Sequence, residues 1–69
     1  LALGNTKRAI KDLDKAIELN PQYAEAFYQR GVVYANLDND KQAIADLKIA
    51  ARLGYKGAQD VLRELKIYW

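Results

Sequence analysis

The chain repeats its own pattern at a distance of 34 residues. Small and apolar residues of the first third return in the second half in the same order, as Ala9 returns at Ala43. The full set is Ala9, Ile10, Leu13, Ala16, Ile17 and Leu19, matched by Ala43, Ile44, Leu47, Ala50, Ala51 and Leu53. A fixed period of this length is typical of stacked helix-turn-helix units. The period therefore predicts an all-α repeat fold with three main helices and a C-terminal capping helix.

Capping signals predict where the helices begin and end. Gly4 should stop the tail of a preceding helix that includes Leu1 and Leu3, and Asn5 should cap the next helix. Asn20-Pro21 should end that helix, because proline disfavours helical geometry in the residue before it. Asn39, with Gln42 three residues later, should cap the third helix. The predicted helices cover residues 6–19, 23–37, 39–53 and 58–67.

Two further expectations concern packing. Gly31 lies inside the second predicted helix, where glycine costs roughly 1 kcal/mol against alanine, so we expect it to allow a close helix crossing. Ala43 and Ala50 on the third helix are the predicted counterpart surface. Tyr68 and Trp69 are expected to fold back on the last helix.

The composition argues against catalysis. The 69 residues include no Cys, His or Ser, which removes the commonest general base, the commonest metal ligand and the serine nucleophile. The acidic run that begins at Asp38 could suggest calcium, but Ala43 and Ile49 stand where a calcium loop needs Gly and Glu. Glycine-rich phosphate loops are also missing from the sequence. We therefore expect no catalytic residues, no metal and no cofactor.

The charge pattern leaves one alternative partner class open. The net charge is +2, and basic and acidic residues are interleaved along the chain. A basic surplus in the C-terminal half, Lys41, Lys48, Arg52, Lys56, Arg63 and Lys66, makes RNA or another nucleic acid the alternative partner. Against this, the sequence predicts that Lys41, Lys48 and Arg52 do not all share one side, and three nearby acids dilute the field.

The sequence says little about cellular location. No apolar run approaches the length of a membrane span, and no signal peptide is visible. The chain does not begin with Met, so we expect it to be a fragment or a processed product. The compartment stays open, with the cytoplasm as the expectation.

The residues also name a family. The spacing of six positions resembles the tetratricopeptide repeat (TPR), and Asn20-Pro21 matches the Asp/Asn-Pro that closes its units. These positions are Phe27, Gly31, Tyr34, Ala43, Leu47 and Ala50. The wording is similar to bacterial members, with some likeness to Sel1-like repeats at the C-terminal end. In this frame the single domain comprises the second half of one unit (1–23), a complete unit (24–57) and a capping helix (58–69). Arg30, Tyr55 and Leu65 depart from the family pattern, which has Leu, Pro and a small residue there.

The resemblance implies a non-enzymatic scaffold that holds a peptide or partner helix in the concave groove of a superhelix. The implied groove positions are Glu25, Tyr28, Gln29, Val32 and Asn36. Two interpretations of Tyr28 and Val32 remain open at this point: they belong to a contact surface, or they pack on the helix of the preceding unit.

Self-association is a separate expectation. About one and a half units are present, whereas roughly three are usually needed for stability. The apolar side of the first helix, with Ile10, Leu13 and Ile17, should leave a strip uncovered that a second copy could bury. The alternative is a monomer whose terminal residues cover that strip.

Overall fold

The chain forms four α-helices. The computed structural model describes residues 3–69. Its helices are α1 (Leu3–Leu19), α2 (Ala24–Asn36), α3 (Asp40–Arg52) and α4 (Lys56–Glu64). Helix α2 packs against both α1 and α3, and α4 packs against α3. The predicted all-α fold of three main helices and a fourth is confirmed.

The start of α1 differs from the prediction. The helix passes through Gly4 and Asn5 without a break, so the predicted stop and cap at these residues are wrong. Starting a second helix would require a second costly nucleation, whereas one glycine in a helix costs only roughly 1 kcal/mol. The part of the prediction that concerns residues 1 and 2 lies outside the described residues.

Helices α2, α3 and α4 end in the same way. One residue after each cap has a left-handed backbone: φ is +61° at Asp38, +96° at Gly54 and +59° at Lys66. The next amide donates to a carbonyl five residues earlier, as from Asn39 N to Tyr34 O at 2.9 Å. This Schellman arrangement satisfies the last carbonyls of the helix. Only Gly54 was predicted as a stop, because Asp38 and Lys66 adopt this conformation without the freedom of glycine.

The beginning of α3 agrees with the sequence. The side-chain Oδ1 of Asn39 accepts a hydrogen bond from the amide of Gln42 at 3.4 Å, as the capping prediction requires. Helix α4 begins at Lys56, so Gly57 lies in its first turn and not in the preceding turn. Its last helical residue is Glu64, three residues before the predicted end.

The chain end after α4 is only partly folded back. Tyr68 is 94% exposed, so the expectation that it covers the last helix is wrong. The expectation holds for Trp69, which is mostly covered and whose carbonyl accepts a hydrogen bond from Arg52 Nε at 2.6 Å.

The core lies between α2, α3 and α4 and is rich in alanine. Its buried cluster consists of Phe27, Leu47, Ala50, Ala51, Ala58 and Leu62. Alanines bring the helix backbones close together, and Gly31 continues this at the α2–α3 crossing. A Cβ atom at Gly31 would lie 3.1 Å from Ala43 O and 3.2 Å from Leu47 Cγ. The predicted close approach is confirmed for Ala43, whereas Leu47 stands beside Gly31 where Ala50 was expected.

Candidate functional site

A groove of about 500 Å³ lies between α1 and α2. Its walls are mainly apolar, and Asp12 and Gln29 add polar groups. The lining residues are Ala9, Asp12 and Leu13 from α1 and Tyr28, Gln29, Val32 and Val33 from α2. An apolar groove with a few polar groups is the kind of surface on which a partner can dock.

The α1 wall of this groove repeats a surface that is already occupied elsewhere in the molecule. Ala9, Asp12 and Leu13 stand 34 residues before Ala43, Asp46 and Leu47. Those three residues of α3 are the nearest neighbours of a side chain placed at Gly31, and they form the surface on which α2 packs. The α1 wall therefore presents the residue pattern that seats a helix between α2 and α3.

The structure brings together three of the five predicted groove residues. Tyr28, Gln29 and Val32 line the groove. Glu25 and Asn36 are exposed on the same helix but do not line it. Val32 is 39% exposed, so its apolar surface is open to a ligand.

Tyr28 also has a structural role. Its ring stacks on the ring of Tyr55 with a centroid distance of 4.8 Å and an interplanar angle of 36°. Both rings pack against the buried cluster, and both are partly buried. Aromatic pairs of this geometry typically contribute about 0.5–1.5 kcal/mol beyond their buried area. Tyr28 is thus a core residue and a groove residue at the same time.

The three predicted self-association residues have different surroundings. Leu13 lines the groove, and Ile17 packs against the core cluster. Ile10 is partly buried. The strip expected on α1 is therefore narrower than the sequence suggests, because Ile17 contributes to the core.

Arg30 connects three helices, a contact that the sequence reasoning missed. Its Nε and Nη2 donate to the two carboxylate oxygens of Asp46 on α3, both at 2.8 Å. Its Nη1 donates to Asp14 Oδ1 on α1 at 2.7 Å. The guanidinium also lies 5.5 Å from the centre of the Phe27 ring, within the range of a cation–π contact. Asp14, assigned from the sequence to a solvated helix surface, therefore pairs with an arginine of the next helix.

The ion pair is partly buried, which strengthens it. Asp46 is only 4% exposed. Its hydrogen bonds with Arg30 raise the pKa of the guanidinium above its usual range; burial acts in the opposite direction, and the hydrogen bond to Asp14 raises the pKa further. Arg30 is therefore charged at any working pH. The available signal was the unusual arginine itself, with an aspartate 16 residues away on either side.

The basic residues of α3 also correct an expectation. Lys41, Lys48 and Arg52 line one continuous surface of the helix together with Ile44, Ala45 and Ile49. The expectation that these three cations do not share a side is wrong, since steps of seven and eleven residues return to nearly the same face of a helix.

Metal and membrane features were searched in the described part of the chain. Residues 3–69 contain no group of three or more Asp, Glu, His or Cys side chains that could hold a metal ion. In the same range, no helix combines the length and the apolar character needed to cross a membrane.

Comparison with known proteins identifies the family. A family model described as TPR repeat matches residues 1–38, more than half of the chain. A second, described as Tetratricopeptide repeat, matches residues 24–53. The chain belongs to the tetratricopeptide repeat family. TPR units generally mediate protein–protein interaction and are of a non-catalytic scaffold type.

Several curated proteins contain a similar segment. The tetratricopeptide repeat protein 36 homolog of Drosophila melanogaster is 45% identical over 67 residues, which are 90% of this chain and 36% of that protein. The mitochondrial import receptor subunit TOM70 of Homo sapiens is 34% identical over 62 residues, 88% of this chain and 10% of the receptor. Serine/threonine-protein phosphatase T of Aspergillus oryzae is 39% identical over 44 residues, 64% of this chain and 9% of that protein. The chain thus spans only 9–36% of these relatives. No solved structure matches it significantly.

Proposed function

We propose that this TPR chain is a protein-interaction module that holds a helical segment of a partner protein in the groove between α1 and α2. The observation that carries the proposal is the repetition of the α2-binding surface of α3 on α1. Since Ala43, Asp46 and Leu47 seat a helix, their counterparts Ala9, Asp12 and Leu13 offer the same pattern to another helix. Gln29 and Val32 form the opposite wall.

The occupied crossing also suggests what the partner segment looks like. Helix α2 presents Gly31 to Ala43 and Leu47, and Arg30 to the buried carboxylate of Asp46. A segment seated beside α1 would accordingly carry a small residue opposite Leu13 and a cation opposite Asp12. Glu25 and Asn36 lie on α2 beyond the groove, where we propose that they contact the ends of the bound segment.

Selection from a library of helical peptides displayed on phage tests this proposal. Among peptides that bind the chain, we expect Val32→Glu to weaken binding by at least about tenfold, because the charge enters an apolar groove. Asn36→Glu adds the same charge to the same helix outside the groove and should change the affinity by less than about twofold. Val32 is a better site for the test than Tyr28, whose loss would also disturb the core. Binders that tolerate Val32→Glu as well as Asn36→Glu would contradict the proposed site.

We also propose that the chain has no enzyme activity of its own, in line with the scaffold type of its family. The names of the relatives do not carry over, because the chain covers a tenth or less of the import receptor and of the phosphatase. Nucleic acid remains the alternative partner, and the likeness to bacterial and Sel1-like repeats and the division at residues 23 and 57 remain predictions. Phosphate binding would weaken steeply with salt, whereas apolar groove binding would not.

Self-association through α1 is a further proposal about the same surface. A second copy cannot readily insert α4 into the groove, because Glu64 and Leu65 stand where α2 has Arg30 and Gly31. Glu64 would meet Asp12, a pair of like charges, and Leu65 would overfill the crossing. We therefore expect a symmetric contact between two α1 helices around Ile10 and Leu13, which would compete with the partner segment.

Light scattering over a dilution series checks the dimer. The mass should rise from 7.8 kDa for one chain towards twice that value as concentration increases, and Leu13→Glu should keep the chain monomeric. A constant mass of one chain at high concentration would exclude the dimer.

A further inference from the structure

We infer that the outer surface of α3 is a second docking surface, which binds an acidic amphipathic helix of a partner protein. This outer α3 surface consists of Lys41, Ile44, Ala45, Lys48, Ile49 and Arg52. It lies on a different helix from the groove between α1 and α2, and the inference does not depend on that groove.

The surface is basic because the acids of α3 are directed elsewhere. Asp46, the only acid in the middle of the helix, is buried on the opposite side, where its carboxylate receives two hydrogen bonds from Arg30. Asp40, at the beginning of α3, lines the cleft between α3 and α4. Arg52 donates Nε to a neutral carbonyl, that of Trp69, so its positive charge is not compensated there. Three cations therefore face outward together on a chain whose net charge is only +2.

The spacing of the cations sets the length of the partner. Lys41, Lys48 and Arg52 follow one another at steps of seven and four residues, which is about 16 Å along the helix at 1.5 Å per residue. A partner helix of three turns with carboxylates at the same steps would place one acid opposite each cation. Interactions between i and i+7 positions of two helices keep such a match in register.

The apolar residues between the cations favour a protein over a nucleic acid. Ala45 lies between Lys41 and Lys48 and leaves a depression of about 480 Å³ among the longer side chains. Ile44 and Ile49 flank the row of cations and are partly buried, and Lys48 is also partly buried, so that its aliphatic stem adds to the apolar surface. A phosphate backbone has no apolar group to fill this depression, and none of the six lining residues is an aromatic side chain on which a base could stack. A leucine or isoleucine of an amphipathic helix would fill it.

The test uses a pair of synthetic peptides and the full chain. The first peptide is a labelled three-turn helix with glutamates at steps of seven and four residues and leucine between them, and the second has glutamine in place of every glutamate. In fluorescence anisotropy at physiological salt, we expect the acidic peptide to bind at least about tenfold more tightly. Lys48→Glu should weaken its binding by at least about tenfold, whereas Lys7→Glu, the same charge change on exposed α1, should change it by less than about twofold.

A second variant keeps the test valid if Lys48→Glu does not fold. Ala45→Gln adds no charge and lies at an exposed helix position, yet its side chain fills the depression, so it should weaken peptide binding several-fold while the circular dichroism spectrum is unchanged. Equal binding of the two peptides, or equal effects of Lys48→Glu and Lys7→Glu, would overturn the inference. Tighter binding of single-stranded oligouridine or of phosphatidylserine vesicles than of the acidic peptide would overturn it in favour of a nucleic acid or a membrane surface.

Discussion

Asp46→Ala should lower the free energy of unfolding by about 2–3 kcal/mol. The substitution removes the carboxylate that receives two 2.8 Å hydrogen bonds from Arg30 and leaves the guanidinium among buried neighbours. Removing one partner of a fully buried pair costs about 3–5 kcal/mol. The value is smaller here because the Arg30 side chain is 19% exposed and keeps Asp14 as a partner. Urea unfolding followed by circular dichroism measures the change.

Two matched variants separate the buried pair from the exposed one. Asp14→Ala removes the half-exposed partner of Arg30 and should cost at most about 1 kcal/mol, as exposed pairs do. The double variant Arg30→Leu/Asp46→Ala removes both charges and should be more stable than Asp46→Ala alone, because no buried charge is left unpaired. If Asp46→Ala unfolds at the same urea concentration as the parent chain, the three-helix ion pair does not stabilise the fold.

Gly31→Leu should have a comparable or larger effect. An added Cβ would already lie 3.1 Å from the backbone oxygen of Ala43 and 3.2 Å from Leu47 Cγ. The remaining atoms of leucine have no space unless α2 and α3 separate. Overpacking of this kind costs about 1–3 kcal/mol and sometimes more, from a total that is roughly 3–10 kcal/mol for a chain of this length. Thermal melting should show a decrease of several degrees or complete loss of the transition.

Ala45→Leu is the matched control for Gly31→Leu. It also introduces leucine within a helix, but at an exposed position of α3. Substitutions at such positions usually change stability by less than about 0.5 kcal/mol. Gly31→Ala should lie between these two, because the gain in helix propensity of about 1 kcal/mol opposes a tight contact with a backbone atom. A melting temperature of Gly31→Leu equal to that of the parent would contradict the α2–α3 packing.

The sequence was sufficient for the features that depend on local and periodic patterns. The 34-residue period and the spacing around Phe27 and Gly31 predicted the helices, their order and the family. Asn39 as a helix cap and the stop at Gly54 were predicted correctly, because both signals act through backbone groups only a few residues away. The same kind of signal failed at Gly4, where an uninterrupted helix avoids a second nucleation.

The features that depend on side chains from separate helices were decided only by the tertiary structure. Arg30 is one residue from Gly31 in sequence, but its function as a link between α1 and α3 appears only when Asp14 and Asp46 are brought to its two sides. The division of Tyr28 between the groove and the Tyr55 stack has the same origin. Helix periodicity assigns a residue to a face, whereas the identity of the neighbour on that face depends on how the helices cross. For the same reason, the sequence alone predicted the fold of this chain better than it predicted which of its surfaces are open to a partner.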